Sequence, residues 1–318
     1  MKSFTVGKND AGKRLDQFIL RVTHNLPHSL LYKLFRKKNF KVNGKRTTDA
    51  AYRLQEGDVL DLYLNDEFFE NVVEEEAFSK VSGAVNVLYE DEHILLADKP
   101  VGLLSHSDDK EWVHTLIAHI QSYLYKKGEW DPKNENGFAP ALCNRIDRNT
   151  GGIVIAAKTA EALRVLNDKI KNHELKKKYL CAVLGKPEKA EGEVVNYLQK
   201  DEKKNMVSVY HKPHAGAKEA VTRYRTLQSK NGLSLMEVEL LTGRTHQIRA
   251  TFADLGHPLL GDGKYGVNQV NLKYGMTTQA LYSYQLTFAF KTDAGVLNHL
   301  NGKTVMVENV PFAETYFN

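Results

Sequence analysis

The sequence has few of the residues that mark secreted, membrane-spanning or zinc-binding proteins. Its 318 residues include only two cysteines, Cys143 and Cys181, too few for a disulfide framework or a cysteine zinc cluster. No apolar run approaches the roughly 18 residues that a membrane span requires, and the first ten residues contain none that could serve as a signal peptide. We therefore expect a cytoplasmic protein with reduced thiols and no membrane partner.

Charge is distributed unevenly along an otherwise ordinary globular composition of 42% hydrophobic and 26% charged residues. Residues 13–48 contain ten Lys or Arg and a single acid, Asp16, whereas residues 65–92 contain nine acids and one base, Lys80. At roughly 100–200 residues per domain, the length predicts about two domains. A basic block followed by an acidic connector indicates a small domain that binds a polyanion and is joined by the connector to the rest of the chain. The alternative is a solvated helix face that is basic by chance.

The basic block has the periodicity of a compact unit with two helices and a hairpin. Apolar residues fall on one helical face over 14–20 and again over 29–38, where Ser29 is a candidate N-cap. The dipeptide Asn43-Gly44 is the strongest short hairpin signal, and an alternating strand follows over 59–64. The second helix leaves four basic side chains outside: Lys33, Arg36, Lys37 and Lys38.

These segments resemble the S4-like RNA-binding module, a small unit that recurs in many RNA enzymes. The resemblance rests on Arg14-Leu15-Asp16, the helix over 29–38, Lys41-Val42-Asn43-Gly44-Lys45 and Glu56-Gly57-Asp58. It implies RNA as the partner and an RNA-binding domain over residues 1–75, with a connector at about 66–84. The side chains implied to contact RNA are basic: Arg14, Lys33, Arg36, Lys37 and Lys41.

The remaining residues, 85–318, are predicted to form a second domain with more strands than helices. Strands are predicted over 87–89, 93–100, 153–157, 179–185, 221–227, 234–241 and 281–290, and helices over 160–171 and 245–255. Several strands are joined by short turns, which favours an α+β fold with a mostly antiparallel mixed sheet.

The most unusual segment of this domain is Asn144-Arg145-Ile146-Asp147-Arg148-Asn149-Thr150-Gly151-Gly152, directly before an apolar strand. Its two glycines permit a tight turn or a close approach of the backbone. A carboxylate flanked by guanidiniums stays ionised even when partly buried, because opposite charge offsets desolvation. Asp147 is therefore a candidate nucleophile or base, although a structural ion pair would give the same pattern.

A second polar segment covers residues 241–262. A helix start is predicted here, with Thr242 or Thr245 as the cap. Its first turns present four polar side chains and one apolar one: Arg244, His246, Gln247, Arg249 and Ile248. Arginines and backbone amides at a helix start form a phosphate site. The segment therefore indicates one wall of a substrate-binding site, or else a surface helix that is capped by a histidine.

Together the two segments resemble the RluA-type RNA pseudouridine synthases. The family's catalytic stretch reads approximately His-Arg-Leu-Asp-Arg, then an acid, Thr and Ser-Gly, and the residues that match it here are Arg145, Asp147, Arg148, Thr150 and Gly152. The sequence departs from the family at Asn144, Ile146, Asn149 and Gly151, so the hydrogen bonds around the carboxylate must differ. Further matching blocks cover residues 98–103, 178–185, 243–266 and 279–284.

The resemblance implies isomerisation of uridine in RNA to pseudouridine, in which the ribose bond moves from a base nitrogen to carbon 5. Asp147 is implied as the essential carboxylate. It could attack the anomeric carbon, or it could act as a base on the neighbouring ribose carbon to give a glycal. Tyr179 matches the active-site tyrosine, whose ring can stack on uracil and whose hydroxyl could help remove the carbon 5 proton. Arg249 matches the basic residue that pairs with the carboxylate.

Four further residues are implied to contact the substrate. Arg145 is a candidate for filling the gap left by a flipped uridine. Arg244 and His246 are expected at phosphate or ribose, and Ile248 in the base pocket. No cofactor or metal is implied, because the isomerisation is redox-neutral, and nothing in the sequence requires more than a monomer.

The amino-terminal module favours large-subunit (23S) ribosomal RNA as the substrate. One alternative is a transfer RNA pseudouridine synthase of the same family. The others are a non-catalytic ribosome-associated RNA-binding protein and an N-glycosidase that releases uracil. The set of Asp147, Tyr179 and Arg249 favours an enzyme, because RNA binding alone needs none of these three residues.

Overall fold

The computed structural model describes residues 1–23, 25–69, 77–81, 83–108, 111 and 113–318. The described residues form two sheets, each with helices packed against it. The smaller sheet belongs to residues 2–62 and the larger one to residues 87–306. No helix in these ranges is long and apolar enough to cross a membrane.

The first unit is a four-stranded antiparallel sheet covered by two short helices. Its strands are β1 (Lys2–Thr5), β2 (Phe40–Val42), β3 (Lys45–Thr47) and β4 (Val59–Leu62), in the order β1-β4-β2-β3. Its helices are α1 (Leu15–Val22) and α2 (His28–Arg36). Each helix buries one apolar stripe, because its apolar residues recur at helical spacing. The most buried members of the core include Leu15, Phe18, Leu31 and Phe35.

The predicted N-cap of α2 is wrong, whereas the predicted hairpin is confirmed. Pro27 occupies the N-cap position with φ −65°, and no side chain caps the helix. Because the proline ring already holds φ near its helical value, the helix begins at His28 and Ser29 lies within its first turn. Asn43 and Gly44 both have positive φ, 50° and 76°, as a two-residue hairpin turn requires.

The two ends of the acidic segment 66–84 belong to different apolar cores. Phe69 packs in the core of the first unit. Phe78 packs against Trp130 of the second unit, with ring centroids 5.1 Å apart. Residues 70–76 and 82, which fall within the predicted connector, lie outside the described residues. The chain therefore passes from one core to the other between Phe69 and Phe78.

The second unit is built on one large mixed sheet. Its strands are β5 (Val87–Glu90), β6 (Ile94–Lys99), β7 (Ala141–Leu142), β8 (Gly151–Ala157), β9 (Leu175–Leu184), β10 (Glu191–Asp201), β11 (Met206–Tyr210), β12 (Lys218–Lys230), β13 (Leu233–Leu240), β14 (Leu281–Phe288) and β15 (Thr304–Met306). The main order is β11-β10-β12-β13-β9-β14-β8-β6-β5, with β7 added to β8 and β15 to β14. Among the described strands, only β8 and β14 pair in parallel.

Five helices pack on the two faces of this sheet or at its ends: α3 (Leu116–Lys127), α4 (Ala160–Lys171), α5 (Gln247–Asp254), α6 (Asn268–Lys273) and α7 (Pro311–Phe317). The predicted α+β fold with a mostly antiparallel sheet is confirmed. Helix α4 has the predicted bounds, whereas β9 begins four residues before the predicted strand. Helix α3 and the β10–β11 hairpin were not predicted.

The parallel pairing of β8 and β14 depends on a glycine. Gly152 lies opposite Ser283 in register. Its φ of +109° and the closeness of the Ser283 carbonyl oxygen, which a Cβ would overlap, exclude any larger residue. The close approach expected from the sequence is therefore confirmed at Gly152, and it sets the end of the loop that carries Asp147.

Candidate active site

The loop between β7 and β8, residues 143–150, carries the predicted catalytic carboxylate. Lys99, a fully buried residue at the end of β6, supports this loop. Its ammonium group donates to the carbonyl oxygens of Leu103 (2.7 Å), Pro100 (3.0 Å) and Arg148 (3.0 Å). Burial lowers the pKa of Lys99 to about 8, although nearby carboxylates oppose the shift. The residue that follows Asp147 is thus fixed through its backbone.

Two further hydrogen bonds hold the first half of the loop. Ser105 Oγ donates to the carbonyl oxygen of Ile146 (3.0 Å). The Ile155 N–H donates to Oδ1 of Asn144 (2.8 Å). Asn144 stands where the resembled family has histidine, and here its side chain ties the start of the loop to β8.

Arg249, in the first turn of α5, joins Asp147 to a second carboxylate. Its Nη1 donates to Oδ2 of Asp147 (2.8 Å), while Nε and Nη2 donate to the two oxygens of Asp262 (2.6 and 2.9 Å). Asp262 is fully buried, whereas the side chain of Asp147 is 26% exposed. The two-point contact with Asp262 fixes the plane of the guanidinium, so Arg249 presents a rigid donor to the more open carboxylate.

The charges of this group support one another. Burial opposes the charge of Arg249, but the hydrogen bonds and charges of Asp262 and Asp147 outweigh it and raise the pKa of Arg249. Burial also opposes the charge of Asp262. Hydrogen bonds from Arg249 and from the backbone N–H groups of Lys264 and Tyr265 nevertheless lower the pKa of Asp262. Asp147 therefore lies beside a permanent positive charge.

His246 lies on the other side of Asp147 in a left-handed backbone conformation, with φ 53° and ψ 20°, which is uncommon outside glycine. Its Nε2 is 3.8 Å from Asp147 Oδ2, and its Nδ1 is 2.9 Å from the Tyr265 hydroxyl. The Val207 N–H donates to that hydroxyl oxygen (2.7 Å), so the tyrosine proton is available for Nδ1. From this network we infer the tautomer with its proton on Nε2, facing Asp147.

The imidazole of His246 is neutral at neutral pH. Burial lowers the pKa of His246 to about 4, an effect that Asp147 opposes and Arg249 reinforces. His246 is thus a neutral hydrogen-bond donor beside the carboxylate, and Arg249 is the adjacent cation.

The threonine cap predicted for this helix is wrong. Helix α5 begins at Gln247, whose Oε1 accepts the Arg244 N–H and the Thr242 hydroxyl proton, both at 3.0 Å. Its Nε2 donates to Oγ1 of Thr222 on β12 (2.9 Å). The buried amide of Gln247 therefore holds the turn before α5 against the sheet, and His246 occupies the N-cap position.

Tyr179 lies on β9 and is 6% exposed. Burial raises the pKa of Tyr179 to about 12, despite a hydrogen bond with Ser283 that acts in the opposite direction. The hydroxyl therefore keeps its proton at neutral pH, which favours stacking of the ring on a base over proton removal by a phenolate.

A cleft of about 830 Å³ is lined by all seven predicted catalytic and substrate-contacting residues: Asp147, Tyr179, Arg249, Arg145, Arg244, His246 and Ile248. Ile248 is 3% exposed and forms part of the apolar wall. Arg145 is exposed at the rim. Arg244 is anchored at the rim through Nε, which donates to the Glu219 carbonyl oxygen (2.8 Å).

Three residues of the site were not singled out from the sequence: Lys99, Asp262 and Tyr265. They lie within the matching blocks 98–103 and 243–266, but neither charge nor spacing distinguishes them there. Their functions depend on contacts that only the folded chain provides.

The basic residues predicted to contact RNA in the first unit differ in their availability. Lys33, Arg36 and Lys37 are exposed on α2. Arg14 donates two hydrogen bonds to Asp16 (2.7 and 3.0 Å), and Lys41 lies 5.2 Å from the centre of the Tyr63 ring. Of the five predicted residues, the three exposed ones therefore lie on α2 or at its C-cap.

Comparison with known proteins identifies both units. Residues 93–254 match the family model described as RNA pseudouridylate synthase, and residues 13–60 match the S4 domain. The chain belongs to the RNA pseudouridylate synthase family. It is an RNA pseudouridine synthase, an enzyme that isomerises uridine in RNA, with an amino-terminal S4 RNA-binding domain.

Relatives of the synthase cover most of its length. An uncharacterized RNA pseudouridine synthase of Mycoplasma genitalium is 33% identical over 293 residues, which cover 90% of this chain and 88% of that protein. Ribosomal large subunit pseudouridine synthase C of Vibrio cholerae is 32% identical over 266 residues, or 82% of this chain and 79% of that protein. The solved structure of human RNA pseudouridylate synthase domain containing 4 has a similar fold, with a TM-score of 0.54 at 20% identity, covering 71% of this chain and 89% of that one.

Proposed function

We propose that this synthase isomerises uridines of large-subunit ribosomal RNA with Asp147 as the reacting carboxylate. The observation that carries the proposal is the partly exposed Asp147, bound at 2.8 Å by Arg249 in a cleft that Tyr179 also lines. The RNA target is supported by the S4 domain and by the Vibrio cholerae relative, whose name refers to the large ribosomal subunit.

The geometry supports a division of work between three side chains. Arg249 orients the carboxylate through one hydrogen bond while Asp262 holds the guanidinium in place. His246 offers its Nε2 proton to a ribose hydroxyl or a uracil oxygen bound beside Asp147. The buried ring of Tyr179 offers a face on which the detached uracil can stack while it turns.

Two chemical routes are compatible with this arrangement. In the first, an oxygen of Asp147 bonds to the anomeric carbon and the glycosidic electrons leave with the uracil nitrogen. In the second, Asp147 takes a proton from the neighbouring ribose carbon, and a glycal forms as the same bond breaks. In the first route, carbon 5 of the rotated uracil bonds to the anomeric carbon and displaces the Asp147 oxygen. In the second, carbon 5 bonds to the anomeric carbon of the glycal while Asp147 returns its proton to the neighbouring ribose carbon. In both, carbon 5 then loses its own proton to solvent, and Asp147 is again a carboxylate.

The test uses large-subunit ribosomal RNA that carries tritium at carbon 5 of its uridines. We expect the wild type to release tritium, and Asp147→Asn to lower the release rate about 10⁴-fold, as expected for loss of an essential nucleophile or base. Asp168→Asn, a change at an exposed aspartate of α4, is the matched control and should be fully active.

Other outcomes would redirect the proposal. Full activity of Asp147→Asn would remove Asp147 from the reaction. Tritium release from transfer RNA transcripts alone would replace ribosomal RNA as the substrate. Free uracil in the product would indicate an N-glycosidase.

A further inference from the structure

The two lysines that are buried among the described residues, Lys99 and Lys169, are both held by oxygen acceptors. Lys99 donates to three carbonyl oxygens. Lys169 donates to Glu174 Oε2 (3.0 Å) and to the Thr292 carbonyl oxygen (2.8 Å). The partly buried Lys178 contacts Glu237 (3.1 Å). This is the expected pattern, because an enclosed charge without a partner is costly.

Lys177 is half-buried and has no such acceptor among the described residues. It lies on β9, two residues before Tyr179, and both residues line the cleft that contains Asp147. Burial alone accounts for the lowered pKa of Lys177, since no neighbouring carboxylate offsets it. Within the described ranges, the ammonium group has neither a hydrogen-bond acceptor nor an ion-pair partner. A half-buried cation in a cleft, without a partner of its own, is available to an anion that enters the cleft.

The surroundings of Lys177 in the cleft are cationic. The same lining includes three further basic side chains, His173, Lys176 and Lys291. Two carboxylates also line the cleft. Asp147 is bound by Arg249, and Glu239 on β13 lies opposite Lys178 in register. Basic side chains therefore outnumber carboxylates in the lining of the cleft.

We propose that Lys177 anchors a phosphate subsite, which binds a backbone phosphodiester of the substrate RNA close to the uridine held between Asp147 and Tyr179. The proposal rests on the proposed function in one respect, that an RNA strand enters this cleft. When a base of the RNA is inserted towards Asp147, the phosphates on either side of that nucleotide must lie close to the neighbouring wall of the cleft. A lysine ammonium is a compact charge suited to a single phosphate oxygen.

The first experiment measures binding and does not depend on catalysis. The probe is a fluorescein-labelled oligouridylate of ten nucleotides, titrated against the full chain at several salt concentrations. We expect Lys177→Met to weaken binding about tenfold, the effect of one charged hydrogen bond. The slope of log affinity against log salt should fall by about 0.7, the value of one single-strand phosphate contact. Lys177→Arg keeps the charge and should retain most of the affinity.

The matched control is Lys186→Met, at an exposed lysine just after β9, which should change neither affinity nor slope. The titration is repeated after neutralisation of Lys33, Arg36 and Lys37, so that binding to α2 does not mask the cleft. An unchanged salt slope in Lys177→Met in both backgrounds would overturn the proposal. If Lys177→Met fails to fold, Lys177→Gln replaces it and is judged by the same slope.

The second experiment separates this proposal from the proposed function. Tritium release from ribosomal RNA is measured for the wild type and for the Lys177 variants. A raised KM with little change in kcat supports a phosphate contact, whereas a fall in kcat with KM and salt slope unchanged contradicts it. If the wild type releases no tritium and Lys177→Met still reduces the salt slope, the phosphate subsite stands and the proposed substrate is wrong.

Discussion

The Tyr265 hydroxyl lies 2.9 Å from Nδ1 of His246, and the two groups share a hydrogen bond. Its oxygen also accepts the Val207 N–H at 2.7 Å, which leaves its own proton free to be donated to Nδ1. In the tautomer that we infer from these contacts, the proton of the neutral imidazole lies on Nε2, and Nε2 is 3.8 Å from Asp147. We therefore predict that Tyr265 acts on the reaction through His246 as a positioning residue.

Replacing Tyr265 with phenylalanine removes that orientation and leaves the ring in place. We expect kcat for tritium release to fall about ten- to a hundredfold, the range seen when a supporting hydrogen bond is lost, with the affinity for RNA unchanged. Tyr125→Phe, at a half-exposed tyrosine of α3, is the control. A raised KM with unchanged kcat would instead make Tyr265 a binding residue.

The titration of Lys99 predicts that the kcat of the enzyme falls at alkaline pH. The pKa of Lys99 is lowered to about 8, and above that pH the neutral amine has two protons for three carbonyl oxygens. We expect kcat to fall above about pH 8 as the loop around Asp147 loses support. Lys99→Arg, which stays charged, should not show this fall in kcat at alkaline pH, even if its overall activity is lower. Lys178→Arg is the control and should show the same fall in kcat as the wild type.

Global unfolding of the protein would not explain such a fall in kcat. The folded pKa of Lys99 lies below its ordinary value of 10.5, so the unfolded chain binds more protons between about pH 8 and 10.5. The contribution of this group to the free energy of unfolding therefore rises with pH in that window. Thermal unfolding followed over the same range separates the two effects. If the kcat of Lys99→Arg fell at alkaline pH in the same way, a group other than Lys99 would be responsible for the fall.

Arg249 makes three hydrogen bonds with two carboxylates, which a lysine cannot reproduce because it lacks the planar fork. We expect Arg249→Lys to lower kcat at least about a hundredfold, since the carboxylate loses its orienting donor. Arg225→Lys, at an exposed arginine that contacts Glu237, should keep its activity. Equal kcat values in both variants would assign Arg249 to charge alone.

Burial on one face decided which elements could be predicted from the sequence. Helix α4 carries Leu163, Leu166 and Ile170 at helical spacing, and β8 is a continuous apolar run that is buried throughout. Strand β10 carries four charged residues and buries only Asn196 and Leu198, and it is held by backbone pairing with β11 and β12. Because that pairing leaves no apolar alternation in the sequence, β10 was not predicted.

The site was predictable only in part for a related reason. Asp147 and Arg249 are 102 residues apart in the chain, and the family resemblance, not local spacing, related them. Asp262 resembles any other acid in the sequence. Its importance arises because folding buries it completely against the same guanidinium that binds Asp147.

The exposed face of α2 should contribute affinity without contributing to the chemical step. We expect simultaneous replacement of Lys33, Arg36 and Lys37 with glutamine to weaken RNA binding. The slope of log affinity against log salt should fall by about 2–3, since each phosphate contact contributes about 0.7–0.9. At saturating RNA, kcat should be unchanged, because α2 belongs to the S4 domain and the cleft to the second unit.

The matched control replaces three exposed lysines of the second unit, Lys171, Lys186 and Lys189, and so removes the same net charge. If α2 faces RNA, the control retains most of the salt slope, and the two triple variants differ in KM but share one kcat. Equal losses of slope would mean that net charge attracts RNA without a defined contact on α2. A fall in kcat confined to the α2 variant would mean that the S4 domain also positions the uridine over Asp147.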